Sequence, residues 1–372
     1  MVHAVGMPTL PLPPGPFGEP NPHDPGSDAA GERATGVAQA AANPLLTAGG
    51  STVRVGTASW TDPTMTAPGV FYPRGAASAE DRLAFYAGTF PIVEIDSTYY
   101  SLPTAKTAEA WVQRTPPDFV FDAKAHALMT GQPTEPRRLP RDVRSALPAD
   151  LASKPRIYAR DLPAELRDAI WQMFLDGLEP LRASGQLGSV LLQYPRWFFP
   201  TSEGRDEILE ARQRLGTIRS GVEFRSQTWF NDKNRERTLR FLTDNGIPLV
   251  MVDGPQGLRS SIPPILAVTS PELALVRFHG RRVETWEAPS IPVVERFRYL
   301  YSEQELREWL PRIREAAEEA QEIHILMNNC YANYGSTNAR ELAAMLELEL
   351  AAPLSDAGPR HAVVGAERPP AG

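Results

Sequence analysis

Apolar positions from residue 53 onward fall into short runs separated by amphipathic stretches. Eight of the runs read as strands: Val53–Trp60, Ile92–Asp96, Phe119–Ala125, Ser189–Gln193, Gly221–Arg225, Pro248–Asp253, Leu273–His279 and Glu322–Met327. The stretches between them carry helical spacing and helix punctuation. Ser78 is placed to cap a helix whose apolar side is Leu83, Tyr86 and Phe90, with Asp81 in its first turn. Thr104 opens a helix containing Ala108, Trp111 and Val112, stopped by Pro116 and Pro117. Asp161 and Pro163 start another, with Ile170, Phe174, Leu178 and Leu181 on one stripe. Helices are also predicted for 203–215, for 232–245 with Gly246 ending it, and for 337–350. Ser302 with Glu305 makes a capping box for one running to about Ala320.

Strand–helix alternation implies parallel strands, and eight such units fit a closed (β/α)8 TIM barrel. A doubly wound open sheet competes, and the polar residues decide against it. An open sheet binds ligands at one switch point, so strands away from that point need no charge. Here charge recurs near the C-terminal ends of most strands, as a barrel's upper face requires.

Side-chain parity groups these residues. Glu94 shares a face with Asp96, Lys124 with Asp122 and His126, Glu223 with Arg225, and Arg277 with His279. Gln193 and Asp253 end their strands, and Asn328 and Asn329 follow the eighth. Buried charges need partners, and the acidic set (Glu94, Asp96, Glu223, Asp253) roughly balances Lys124, Arg225 and Arg277. One reading is a purely structural ion network. The other is a site in which Arg225, Arg277 and Lys124 bind an anion, Glu94 or Glu223 is the general base and His279 the acid. Trp60 and Tyr99 are candidate pocket walls. Asp122 reads as facing a helix, His324 as a satisfied core histidine near the barrel bottom, and Cys330 as a small buried group.

Composition refines this picture. Residues 1–50 are rich in Pro, Gly and Ala and read as a disordered tail, as do 353–372; 51–352 is then one domain. Within it, 131–160 is a long, basic, Pro-rich connection, of the kind that serves as a lid or mobile insertion. Of 372 residues, 42% are hydrophobic and 22% charged, the range of a globular protein. The net charge of -7 gives no global field for nucleic acid. A single cysteine forbids an intrachain disulfide, and no apolar run is long enough for a membrane span, so the expected setting is the cytoplasm. No nucleotide-cofactor motif follows the first strand, no Cys/His cluster has zinc spacing, and no G-x-S-x-G elbow occurs.

The run Val55-Gly-Thr-Ala-Ser-Trp60, Phe71-Tyr-Pro73, Val93-Glu-Ile-Asp-Ser-Thr-Tyr-Tyr100, Lys124-Ala125, Leu192-Gln-Tyr-Pro195, Val222-Glu-Phe-Arg225, Trp229-Phe230, Val276-Arg-Phe-His-Gly280 and Asn328-Asn329 resembles the YecE-like family, domain of unknown function 72, in that order. The resemblance spans about Arg54 to Leu350 and implies a TIM barrel without supplying an activity. Ser226 and Cys330 stand where the family often has histidines, which puts in doubt any mechanism built on those. Three functions follow as expectations. The first is an enzyme of hydrolase or lyase type on a small anionic or polar substrate. The second is a metal-dependent nucleic-acid hydrolase or binding protein of endonuclease IV-like type, with a divalent metal on Glu94, Glu223 and Asp253. The third is a non-catalytic metabolite-binding protein.

Overall fold

The eight apolar runs form eight parallel strands in the computed structural model, which describes residues 45–351 apart from Gly49 and Pro68. A short strand precedes them. Strand β1 (Leu46–Ala48) pairs antiparallel with β2 (Ser51–Thr57) in the register Leu46–Val53 and Ala48–Ser51. Strand β1 thus lies inside the stretch expected to be disordered. Leu46 is buried against the core, and Gly50 takes the positive φ of 100° that the connecting turn requires. The remainder of both expected tails, 1–44 and 352–372, lies outside the described residues.

The other strands are β3 (Ile92–Ile95), β4 (Val120–Lys124), β5 (Leu187–Gln193), β6 (Ser220–Glu223), β7 (Val250–Asp253), β8 (Ala274–Phe278) and β9 (Glu322–Met327). Their order is β6-β5-β4-β3-β2-β9-β8-β7. The two ends of this path meet where Val222 bridges Leu249 and its N–H donates to the Pro248 carbonyl at 2.9 Å. The result is a nearly closed α/β barrel.

Local sequence explains the helices around it. Helix α1 (Ala79–Ala87) carries the full capping box, Ser78 Oγ accepting from the Asp81 N–H and Asp81 accepting from the Ser78 N–H. Thr104 caps α2 (Ala105–Gln113), and Pro163 precedes α3 (Ala164–Ala183). Helices α4 (Ser202–Leu215) and α5 (Arg235–Asp244) follow β5 and β6. The helix expected from Ser302 to Ala320 is broken in two. Its capping box serves only Glu303–Arg307, and α6 (Leu310–Glu319) restarts at Pro311, whose missing N–H suits a first turn. Helix α7 (Tyr334–Ala351) closes the described chain. No described helix is long and apolar enough to cross a membrane.

The 131–160 connection is a packed pad. Thr134 and Ile157 form an antiparallel bridge, and Leu139, Val143, Leu147 and Leu151 are buried beneath it. Its arginines are exposed.

The barrel interior holds both apolar and polar clusters. Ile92, Val120 and Leu326 make a small apolar cluster of their own. Beside it His324 Nδ1 meets Asp122 Oδ2 at 2.9 Å, Ser189 Oγ donates to Asp122 Oδ1 at 2.8 Å, and Glu322 lies 3.0 Å from His324 Nε2. His324 is therefore the core histidine expected, buried and ion-paired with Asp122 and Glu322. Asp122, expected to face a helix, points inward instead, because it shares parity with Val120 and Lys124. Burial opposes protonation of His324, but Asp122 and Glu322 outweigh it and raise its pKa. Asp122 and His324 are thus taken up by a buried polar cluster inside the barrel.

Candidate ligand site at the barrel mouth

Strands β3, β6 and β8 each carry a charged side chain, at the last or next-to-last position, turned into the barrel. Left single, each would cost several kcal/mol to bury. The fold pairs them instead. Arg277 lies between two carboxylates, Nη1 donating to Glu223 Oε2 at 2.5 Å and Nη2 to Glu94 Oε1 at 2.7 Å. All three are excluded from solvent. Glu223 Oε1 accepts from Gln193 Nε2 at 2.8 Å and lies 2.6 Å from Arg225 Nε and 3.1 Å from His279 Nε2. Asn328 Nδ2 approaches His279 Nδ1 at 2.8 Å. With that amide donating to Nδ1, a neutral ring carries its proton on Nε2, facing Glu223.

The two carboxylates differ in their surroundings. Burial raises Glu94 to a pKa of about 7 against the pull of Arg277 and Lys124, and its Oε2 is buried without a hydrogen-bond partner. Burial acts on Glu223 in the same sense, but Arg225, Arg277 and His279 outweigh it and hold the group well below the usual carboxylate range. Burial, reinforced by Arg225, lowers His279 to about 3, so the imidazole is neutral. One carboxyl is thus fixed as an anion while its neighbour titrates near neutrality.

A cavity of about 860 Å³ opens above this layer, lined by Asp96, Tyr99, Lys124, Gln193, Arg225 and Asn328 among others. Lys124 Nζ donates to Asp96 Oδ1 at 3.0 Å and sits 4.6 Å from the Tyr99 ring centroid. The Arg225 guanidinium lies 5.0 Å from the Trp286 ring centroid. Gln132 ties the wall together, accepting from Tyr99 Oη at 2.8 Å and donating to the Gln193 carbonyl at 2.9 Å. The opposite wall is the segment after β8, including Trp286, Glu287, Val293 and Arg296. It is latched to the loop after β7, since Glu287 Oε1 accepts from Ser260 N at 2.8 Å and Trp286 Nε1 donates to Ser260 Oγ at 3.0 Å.

A family model described as "Protein of unknown function DUF72" matches residues 54–362, well over half of the chain. The chain belongs to the DUF72 family. The match runs past residue 352, where the sequence placed the domain's end. The chain is similar to UPF0759 protein YunF of Bacillus subtilis (strain 168), 29% identical over 281 residues, covering 75% of this chain and 90% of that protein. Among solved structures, a DUF72 family protein from Thermotoga maritima MSB8 superposes with a TM-score of 0.61 at 28% identity, covering 79% of this chain and 99% of that one. One from Enterococcus faecalis V583 gives a TM-score of 0.60 at 24% identity, over 79% and 97%, a likeness of fold.

In this DUF72 barrel, ten of the residues singled out from sequence assemble at the mouth or in the layer directly beneath it: Glu94, Asp96, Tyr99, Lys124, Gln193, Glu223, Arg225, Arg277, His279 and Asn328. Four do not. Asp253 points outward, where it accepts from Arg281 Nε at 2.9 Å, Tyr301 Oη at 2.8 Å and Trp309 Nε1 at 2.8 Å. Strand parity is the reason: Val252 pairs with Arg277 on the inner face, and Asp253 pairs with Phe278 on the outer one. The carboxylate trio considered for a divalent metal therefore does not converge. His126 accepts from the Leu128 N–H as the cap of a short turn, and burial lowers it to about 4. Asn329 is buried on the Tyr299 carbonyl and Asn338. Trp60 packs edge-on against Trp111 and Phe121 in the core.

Sequence reading missed Gln132, Trp286 and Glu287, which lie in irregular segments where periodicity carries no signal. It placed Cys330 inside, whereas the side chain is half-buried on the cavity wall, and burial pushes its thiol pKa up. Ser226, the other departure from the family pattern, is buried on Thr228 at 2.8 Å.

Proposed function

We propose that the protein is an enzyme of hydrolase or lyase type, acting by acid/base chemistry on a small anionic or polar substrate at the C-terminal mouth of the barrel. The observation that carries this reading is that Lys124 and Arg225 reach one cavity, each held by a carboxylate, directly above a carboxyl that titrates near neutrality. Lys124 and Arg225 bind the anion, with Gln193 and Asn328 supplying amide contacts. Glu94 handles the proton, since a pKa of about 7 suits transfer in either direction at neutral pH. Glu223 is too well neutralised to be the base and serves as the anchor for Arg225, Arg277 and His279. His279, neutral and hydrogen-bonded, orients that anchor and is not the acid. The single cysteine fits a reducing, cytoplasmic setting.

Thermal-shift screening of phosphorylated and carboxylated metabolites, followed by mass-spectrometric turnover assays on the hits, tests the reading. Glu94→Gln is expected to keep ligand binding and lose turnover by a factor of about 100 or more. Hits that are bound but never turned over, or turned over equally by the variant, contradict it.

A further inference from the structure

Large apolar side chains are rarely left in solvent together without a partner. Among the described residues, those most exposed include Tyr100 at 41%, Trp197 at 48% and Val293 at 57%, and all three line the mouth cavity. Tyr100 stands just after β3 and Trp197 just after β5. Between these strands lies β4, and the side chain at its end is Lys124. Two exposed aromatic rings thus border the sector of the mouth whose floor carries an ammonium group. The Tyr100 ring meets Tyr99 edge-on at 4.8 Å and has the Arg138 guanidinium 5.6 Å from its centroid, whereas the Phe198 ring is stacked on two neighbours, Tyr194 at 4.0 Å and Trp229 at 5.5 Å.

Resting on the anion reading above, we infer that the substrate is an oxyanion bearing a planar aromatic or heteroaromatic ring. The anionic group goes down to Lys124 and Arg225, and the ring lies at the rim against Trp197 and Tyr100. A cavity of about 860 Å³ has room for both parts at once. Ring contact with an aromatic face adds affinity beyond the area covered, while a small ringless anion would leave both rim rings in water.

Calorimetric titration of the full chain with matched probes tests this: phenyl phosphate against methyl phosphate, and phenylacetate against acetate. The two pairs separate a phosphate head from a carboxylate head. The ring-bearing member of at least one pair is expected to bind about tenfold tighter. The double variant Trp197→Ala/Tyr100→Ala should erase that advantage and leave the ringless affinity unchanged, which also reports an intact fold. Lys124→Met should weaken both members of the pair alike. Equal affinities within both pairs, or a ring advantage that survives the double variant, overturn the inference. If ringless anions still bind through Lys124, the anion reading stands without it. Affinities that do not fall in Lys124→Met overturn the anion reading instead, and no binding of any probe overturns both.

Discussion

Arg277 and Glu94, 183 residues apart in sequence, are joined at 2.7 Å across the barrel interior. The same guanidinium holds Glu223 on its other side. One cation between two buried carboxyls cannot neutralise both fully, and Arg225 tips the balance toward Glu223. That asymmetry leaves Glu94 as the group that titrates.

Glu94 therefore links stability to pH. Its folded pKa, about 7, lies above the ordinary value of 4.5, so the folded chain holds the proton more tightly. The associated stability is present below about pH 4.5 and lost as pH rises through 7. Glu94→Gln, which never ionises, should be more stable than wild type at pH 8 by up to about 3 kcal/mol. The gain should vanish at pH 4.5. Urea melts at the two pH values measure this, and a difference independent of pH would refute it.

Removing the shared cation should act in the opposite direction. Arg277→Met strips the shared guanidinium from two buried carboxyls, leaving Glu223 with the Arg225 guanidinium alone, and a loss of about 3–5 kcal/mol is expected. Adding Glu94→Gln to that variant should recover part of the loss, because one of the stranded charges is then gone. Denaturation of the single and double variants tests the coupling, and strict additivity would count against it.

The barrel interior leaves little room for added atoms. A Cβ at Gly221 would fall 2.0 Å from Leu275 Cδ1 and 3.1 Å from Val250 Cγ2. Gly221→Ala should destabilise by about 1–3 kcal/mol through overpacking. Differential scanning calorimetry should show the melting temperature falling by several degrees, and an unchanged midpoint would mean the interior is looser than described.

Much of this arrangement was legible in sequence. Strand periodicity, the Ser78–Asp81 box and the repeated strand-end charges are local signals, and they led to the barrel and to most of its upper polar layer. Asp253 was misplaced although its parity was readable, because a charge at a strand end was weighed above the face it occupies. The helix break at Pro311 was also readable. Trp286 and Glu287 were not, since their place at the mouth depends on the latch to Ser260, a contact between two irregular segments. Strand β1 was hidden by the Pro- and Gly-rich composition around it, and pairing with β2 together with burial of Leu46 holds it.

Asp253 gives a control for the site. Asp253→Asn weakens the bidentate hold on Arg281, whose nitrogens sit 2.9 and 2.7 Å from the carboxylate oxygens. Stability should drop by about 1–3 kcal/mol, while affinity for anions at the mouth stays at the wild-type level. A parallel fall in anion affinity would return Asp253 to the binding machinery.

The most direct test of the central claim is a crystal structure of the chain soaked in tungstate, a strongly scattering oxyanion. An anomalous peak within hydrogen-bonding distance of both Lys124 and Arg225, absent from the Lys124→Met variant soaked alike, is the predicted result. A mouth cavity free of anomalous density at saturating tungstate, or a peak unaffected by Lys124→Met, would contradict it.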